Sequence, residues 1–374
     1  MAPIRLGFIG LSTQGWASQE LVPPLFHPLL ASKYTLTALY TRSEASATAA
    51  AQRYSERAGR TVKAYYGEEG VQGIVHDSEV DMVVVTVKMP EHFALAIAAI
   101  DAEKDLLIEW IPGSSYEQTV KIAEAAKEKN IRVLVGGQAN QGLAINKVKE
   151  LVDKGKIGRV SSTTALLSHP EEAVFWGPKC AERARYTFDS KNGTTLLTVT
   201  IGHFVVALDY VLGDLENVSG SGTIRFPSGD FVDNDGKPTG ETFHTDVHDQ
   251  VALAGTLRGK YEGTFYNIHA RAGLANTDTR GRGRQDGTIE LVNREDSGWF
   301  GAFMGGTDKN VFLNGEKVEL VETEEDKLGN SGKAWLEFAK GATGKYTTID
   351  DAVRIHRVLE AALSSIKDGK RIDL

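Results

Sequence analysis

The chain has one cysteine, Cys180, in 374 residues, which excludes an internal disulfide framework and offers no thiolate metal cluster. That scarcity fits a reducing compartment. Positive charge is in deficit. Lys and Arg number 42 against 50 Asp and Glu, a formal net charge of −8 that argues against general nucleic-acid affinity. No apolar run reads as a membrane span, and the opening residues enter a strand carrying Arg5 without the apolar core of a signal peptide. These absences predict a cytoplasmic protein with no membrane or direct nucleic-acid partner. Internal repeats and low-complexity tracts are lacking too. The triplets Asn192-Gly-Thr194 and Asn217-Val-Ser219 match the glycosylation pattern and, without a secretory signal, read as chance. The bulk composition is ordinary, 41% apolar and 25% charged, as for a globular chain of two or three domains.

The stretch from Ile4 to Trp16, IRLGFIGLSTQGW, organises the rest. Ile4, Leu6, Phe8 and Ile9 make a short apolar strand that Gly10 ends. Gly10, Ser12 and Gly15 occupy the three marked positions of G-x-G-x-x-G, with serine at the middle one. Strand, tight turn and helix start at this spacing present bare N–H groups at a positive helix end, a seat for a diphosphate. The seat would comprise Gly10, Leu11, Ser12, Thr13, Gln14, Gly15 and Trp16. A serine side chain at the middle position is expected to crowd the phosphates. An ordinary strand-turn-helix would look the same from these residues alone.

Downstream, strand and helix signals alternate. Trp16 to Ala31 reads as a helix bent around Pro23-Pro24. Tyr34 to Tyr40 reads as a strand. At its end, where a carboxylate usually meets the adenosine ribose, stand Thr41, Arg42 and Ser43. A missing carboxylate followed by Arg and Ser suits a 2′-phosphate, hence NADP over NAD. Ser43 also reads as the N-cap of a helix from Glu44 to Ala58, and both readings can hold. Val80 to Val87 is a β-branched run suited to a strand buried on both faces. Val87 and Lys88 follow at the sheet edge where ligands sit, and His92 starts a helix to Asp101. Asp105 to Ile108 is a strand followed by Glu109, Trp110 and Ile111. Ile131 to Val135 ends at Gly136-Gly137. This alternation predicts a doubly wound parallel sheet over residues 1–137.

From Gln138 the pattern changes. Leu143 to Lys154 is a helix, and Asn192 to Leu212 reads as a long buried one. Strands then dominate, predicting an α+β domain over 138–374 with a large open mixed or antiparallel sheet. Helices at Trp335 to Lys340 and Ile349 to Lys367 close the chain, the last expected to pack back towards the first domain.

This layout resembles the Gfo/Idh/MocA oxidoreductase family, and within it the fungal Gal80-like branch. The carrying residues are GFIGLSTQGW, Glu109-Trp110, the Gly136-Gly137 turn, the helix ending LVDKGKIGRV and LLTVTIGH at 196–203. The resemblance implies a Rossmann domain, a bound NAD(P) and hydride transfer on a small carbonyl, imine or sugar-like substrate. It also implies a homodimer. The family's enzymes read Glu-Lys-Pro where this chain has Glu109-Trp110-Ile111. They read Asp-x-Gly-x-His where it has Val199 to His203. So His203 remains, while the lysine and aspartate become Trp110 and Val199. Indole N–H is only a donor, and Val199 cannot orient an imidazole. The implied alternative is a catalytically inactive Gal80-like regulator that binds NAD(P) and a transcription activator, with a nuclear location then open.

Several residues carry two readings each. His203 is either the acid/base facing the nicotinamide or a core helix histidine. Lys88 is either the replacement cation or a solvated loop lysine. Trp110 and Trp16 are either stacking faces or core tryptophans. Tyr186 and Arg183 are candidates for the substrate wall. His244 and His248, with Asp246 and Asp249, invite a metal reading, but i and i+4 on a strand or loop do not share a face, so no metal is expected. Arg280, Arg282 and Arg284, in TRGRGRQDG, are either an anion-facing loop or a solvated one.

Overall fold

The computed structural model describes residues 2–170, 174–274, 289–293 and 309–374. Arg280, Arg282 and Arg284 lie outside the described residues. Contacts group the chain into two units, 1–138 with 323–353, and 139–322 with 354–374.

In the first unit, strands β1 (Ile4–Ile9), β2 (Tyr34–Tyr40), β3 (Lys63–Tyr65), β4 (Met82–Val85), β5 (Asp105–Ile108) and β6 (Val133–Val135) form one sheet in the order 3-2-1-4-5-6. All its pairings are parallel. Each crossover is helical, through α1 (Pro28–Ala31), α2 (Glu44–Ala58), α3 (Gly70–Val75), α4 (His92–Asp101) and α5 (Tyr116–Glu128). Helices on both faces bury the strands, so β4 has no exposed residue. The strand order reverses between β1 and β4, which opens a crevice beyond their C-terminal ends.

The helix expected from Trp16 to Ala31 is instead three short pieces. A π-helical turn, Ala17–Leu21, closes with Val22 N–H donating to Ala17 C=O at 2.9 Å. A 3₁₀ turn, Pro23–Phe26, and α1 follow. The proline pair removes two N–H donors, so an α-ladder cannot run through. A returning helix, Gly329–Ala339, covers this broken segment. Its Trp335 is fully buried, donates from Nε1 to Leu21 C=O at 3.1 Å and meets Tyr34 edge-on at 5.1 Å. Gly332 lies so close that a Cβ there would stand 2.8 Å from Pro24 Cβ.

The second unit opens with α6 (Leu143–Asp153), β7 (Ser162–Pro170) and β8 (Lys179–Ala181). Next come α7 (Gly202–Leu212), β9 (Asn217–Thr223), β10 (Ser228–Val232), β11 (Pro238–His244), β12 (Gln250–Thr256) and β13 (Phe265–Leu274). Then come β14 (Ile289–Asn293), β15 (Lys309–Leu313), β16 (Glu316–Val318) and, after the helix Ile349–Asp368, β17 (Ile372–Asp373). The main sheet runs 17-9-12-13-7 and is mixed, with only the β13–β7 pair parallel. Its inner face carries Val251, Leu253, Tyr266 and Ile268, all buried. Its outer face carries Leu166 and Phe265, 56% and 47% exposed.

The three-stranded sheet 11-10-8 has no counterpart in the sequence reading. Its strands are short and β11 is exposed at all but one position, so they show no clean alternation. Phe188, Phe231 and Phe243 gather around Cys180 as its core.

The long helix expected from Asn192 starts later. Gly193 adopts φ +68°, and Thr195 is extended. Thr195 and Thr198 then cap each other, each hydroxyl accepting the other's backbone N–H, at 3.1 and 2.9 Å. A π-helical turn, Leu196–Ile201, runs directly into α7. Contrary to the sequence reading, Ser190–Leu212 is apolar and long enough to qualify as a membrane span. Within its most apolar window 78% is buried inside the protein, as in a core helix.

Candidate functional site

The turn after β1 is built as a phosphate seat requires. Gly10 has φ +104°, and a Cβ there would lie 2.7 Å from Thr86 C=O, so only glycine fits. Gly15 has φ +102°. Ser12, expected to crowd the phosphates, has its hydroxyl bonded to the backbone of its own turn. Its Oγ accepts the Gln14 N–H at 3.2 Å and donates to the Gln14 carbonyl, folding the side chain into its own turn. Leu11 is fully buried beneath, while Thr13 and Gln14 ride above. Trp16 is half-buried at the start of the π-helical turn.

At the end of β2, Thr41 is buried, and its hydroxyl donates to Ser43 C=O at 3.1 Å. Ser43 caps α2 by accepting Ser46 N–H at 3.3 Å. Arg42, between them, is exposed, and residues 41–43 contain no carboxylate.

The turns after β4 and β5 are joined by His92. One ring nitrogen lies 3.0 Å from Ile111 C=O, the other 3.1 Å from Val87 C=O. Burial holds the ring below the ordinary histidine range while the two carbonyls pull the other way. His92 therefore sits between two loops at the crevice, and as a neutral ring it donates to one of the two carbonyls at a time. Lys88 is exposed on the first loop, and Trp110 is buried on the second, where the Trp110–Ile111 peptide is cis. Glu109 is buried, and desolvation pushes it up to about 7, against the Trp16 indole and the Trp110 backbone N–H. Gly136 explains the glycine pair after β6. A Cβ there would stand 2.9 Å from the Glu109 Cα.

In the second unit, His203 is the second residue of α7 and is buried. Desolvation lowers it to about 3, so the imidazole is neutral at physiological pH. Val199 sits in the π-helical turn preceding it. Tyr186 is half-buried, its carbonyl accepting from Asn192 Nδ2 at 2.7 Å, and burial raises its phenol. Arg183 is exposed and reaches Asn234 Oδ1 at 3.4 Å. The carboxylates near His244 and His248 are engaged with backbone. Asp246 accepts from Ser190 N–H, and Asp249 from Arg225 N–H and Phe226 N–H. Among the described residues no group of three His, Cys, Asp or Glu is disposed to hold a metal.

The first unit thus fits a dinucleotide. Its turn is a cradle that a Cβ at Gly10 would fill, and an exposed arginine stands at the ribose position. Sequence reasoning missed Arg53 and Tyr54 on α2, which reach the carbonyls of Thr13 and Ser12. No local pattern marks them, because their partners lie about forty residues away.

Residues 4–137 match the oxidoreductase family with NAD-binding Rossmann fold, Gfo/Idh/MocA, and residues 144–281 match the C-terminal domain of Gal80p. The dehydrogenase aclE of Aspergillus oryzae is 26% identical over 381 residues, covering 98% of this chain and 97% of its own. The galactose/lactose metabolism regulatory protein GAL80 of Saccharomyces cerevisiae is 24% identical over 265 residues, 68% of this chain but 58% of that protein. Among solved structures, a super-repressor mutant of Gal80p from Saccharomyces cerevisiae superposes with TM-score 0.82 at 20% identity, covering 100% of this chain and 98% of its own. An NAD binding oxidoreductase from Klebsiella pneumoniae reaches TM-score 0.75 at 18% identity, covering 100% and 99%. At such identities the structures speak for the fold alone. The chain thus pairs a first domain matched by the Gfo/Idh/MocA NAD-binding Rossmann model with a second domain matched by the C-terminal domain model of Gal80p.

Proposed function

We propose that the protein is an NADP(H)-dependent oxidoreductase acting on a small carbonyl, imine or sugar-like substrate. The observation that carries this reading is the preserved phosphate turn, in which Ser12 folds back rather than obstructing. Gly10 to Trp16 would hold the diphosphate, and Arg42 with Ser43 the 2′-phosphate. The bound cofactor would supply hydride. The end-to-end likeness to the dehydrogenase aclE supports an enzyme.

His203, neutral and buried, holds no proton for release near neutral pH, and Trp110 replaces a lysine. The chain is therefore suited to a substrate that needs little acid assistance, such as an iminium. We also propose a cytoplasmic homodimer, paired through the outer sheet face that exposes Leu166 and Phe265.

The same two departures favour a second reading, a regulator like GAL80 that binds the dinucleotide and an activator protein without turnover. Titration of tryptophan fluorescence with NADPH and NADH tests the cofactor. Arg42→Ala is expected to weaken NADPH about tenfold or more and to leave NADH unchanged. Loss of reduced-cofactor absorbance across a carbonyl and imine panel then separates enzyme from regulator. Tight binding with no turnover on any substrate favours the regulator.

A further inference from the structure

We propose that Arg53 is a positioning residue of the diphosphate seat, holding from outside a turn whose middle position is a serine. This rests on the cofactor reading above and adds a residue to it.

The turn between Gly10 and Gly15 must aim N–H groups at an anion while keeping carbonyl oxygens away from it. A glycine at the middle position ordinarily grants the backbone that freedom. Here the position is Ser12, and the turn is held by three other contacts. Inside it, Ser12 Oγ takes the Gln14 N–H at 3.2 Å. Outside it, two successive carbonyls are drawn to α2. Tyr54 Oη donates to Ser12 C=O at 3.4 Å, and Arg53 donates to Thr13 C=O at 2.6 Å.

The peptide geometry makes the consequence specific. In a trans peptide the C=O and the following N–H point in opposite directions. Drawing the Ser12 carbonyl towards α2 therefore turns the Thr13 N–H to the other side, and drawing the Thr13 carbonyl does the same for the Gln14 N–H, which Ser12 Oγ receives. Of the two tethers, the Arg53 contact is shorter and charge-assisted. It cancels part of the negative charge on a carbonyl that would otherwise oppose a diphosphate. The guanidinium lies on the exposed face of α2, 5.8 Å from the Tyr54 ring centroid. Its removal is expected to cost ligand affinity rather than folding.

The prediction is a ligand-dependent one. Affinities of the full-length protein for NADP⁺ and for adenosine 2′-phosphate, which lacks the 5′-diphosphate, are measured by tryptophan fluorescence for wild type, Arg53→Ala and Arg53→Lys. Arg53→Ala is expected to weaken NADP⁺ about tenfold and leave adenosine 2′-phosphate unchanged. Arg53→Lys, with a single ammonium in place of the planar fork, should recover part of that loss. The melting temperature should move little in either variant. Equal weakening of both ligands would mean that Arg53 holds the 2′-phosphate or the fold, and would overturn the proposal. So would unchanged NADP⁺ affinity in Arg53→Ala. Failure of the wild type to bind NADP⁺ at all would instead overturn the cofactor reading itself, and this inference with it.

Discussion

The two sheets solve burial differently. The six-stranded sheet of the first unit is covered on both faces, so β4 is apolar at every position. The main sheet of the second unit covers one face, so β12 alternates between buried and half-buried positions. Polar groups follow the same division. In the first unit they cluster at the strand ends, where His92 and Glu109 are buried while the phosphate turn keeps its hydrogen bonds at the surface. In the second unit they go inside, with His203, Thr198 and Thr200 buried along one helical segment. A parallel sheet leaves its strand ends as the natural place for polar chemistry. A one-faced sheet pulls polar residues under the helix that covers it.

The comparison is broken most severely at Trp335. It fills the first unit beneath the broken segment after the phosphate turn and satisfies Leu21 C=O. Trp335→Ala should cost about 3–5 kcal/mol, read by urea unfolding. A cost below about 1 kcal/mol would mean that the returning helix does not seal this core.

The next effect concerns the buried polar groups of the second unit. His203 is held at about 3, and His169 and His356 at about 4. Their folded values lie below the unfolded value, so the unfolded chain binds more protons as pH falls through about 6.5. Stability is therefore lost on acidification from neutral pH. His203 alone contributes about 1.4 kcal/mol per pH unit below that point. Glu109, raised to about 7, and Asp209, raised to about 6, act in the opposite sense and gain stability as they take up protons. His203→Gln should flatten the fall in melting temperature between neutral pH and about pH 5. An unchanged slope would place His203 in water and undo the contrast between the units.

The smallest effect sharpens it. Thr195→Ala removes one half of the reciprocal cap and should cost about 1 kcal/mol by urea unfolding. No change would show that the π-helical turn is held by its burial alone.

How much of this was legible depends on the range of the interactions. Tyr34–Tyr40, Glu44–Ala58 and His92–Asp101 stand where the sequence pattern puts them, because cap, period and breaker are all local. Gly10 was readable for the same reason. β8, β10 and β11 were not, since strands this short, or as exposed as β11, carry no periodic signal and pack around phenylalanines far apart in the chain. The π-helical turns were unreadable as well. Pro23-Pro24 announces an interruption but not its form, and the Thr195–Thr198 cap announces a start only once Gly193 is seen with positive φ.

By itself the sequence determined the parallel sheet, its glycine turn and the lack of a carboxylate at residues 41–43. Each of these is a residue type at a short, regular spacing. Tertiary structure decided that Ser12 turns inward, that Arg53 and Tyr54 reach the turn from the next helix, that His92 lies between two loops and that His203 is neutral. Those outcomes depend on desolvation and on contacts between segments far apart in the chain, neither of which a local pattern encodes.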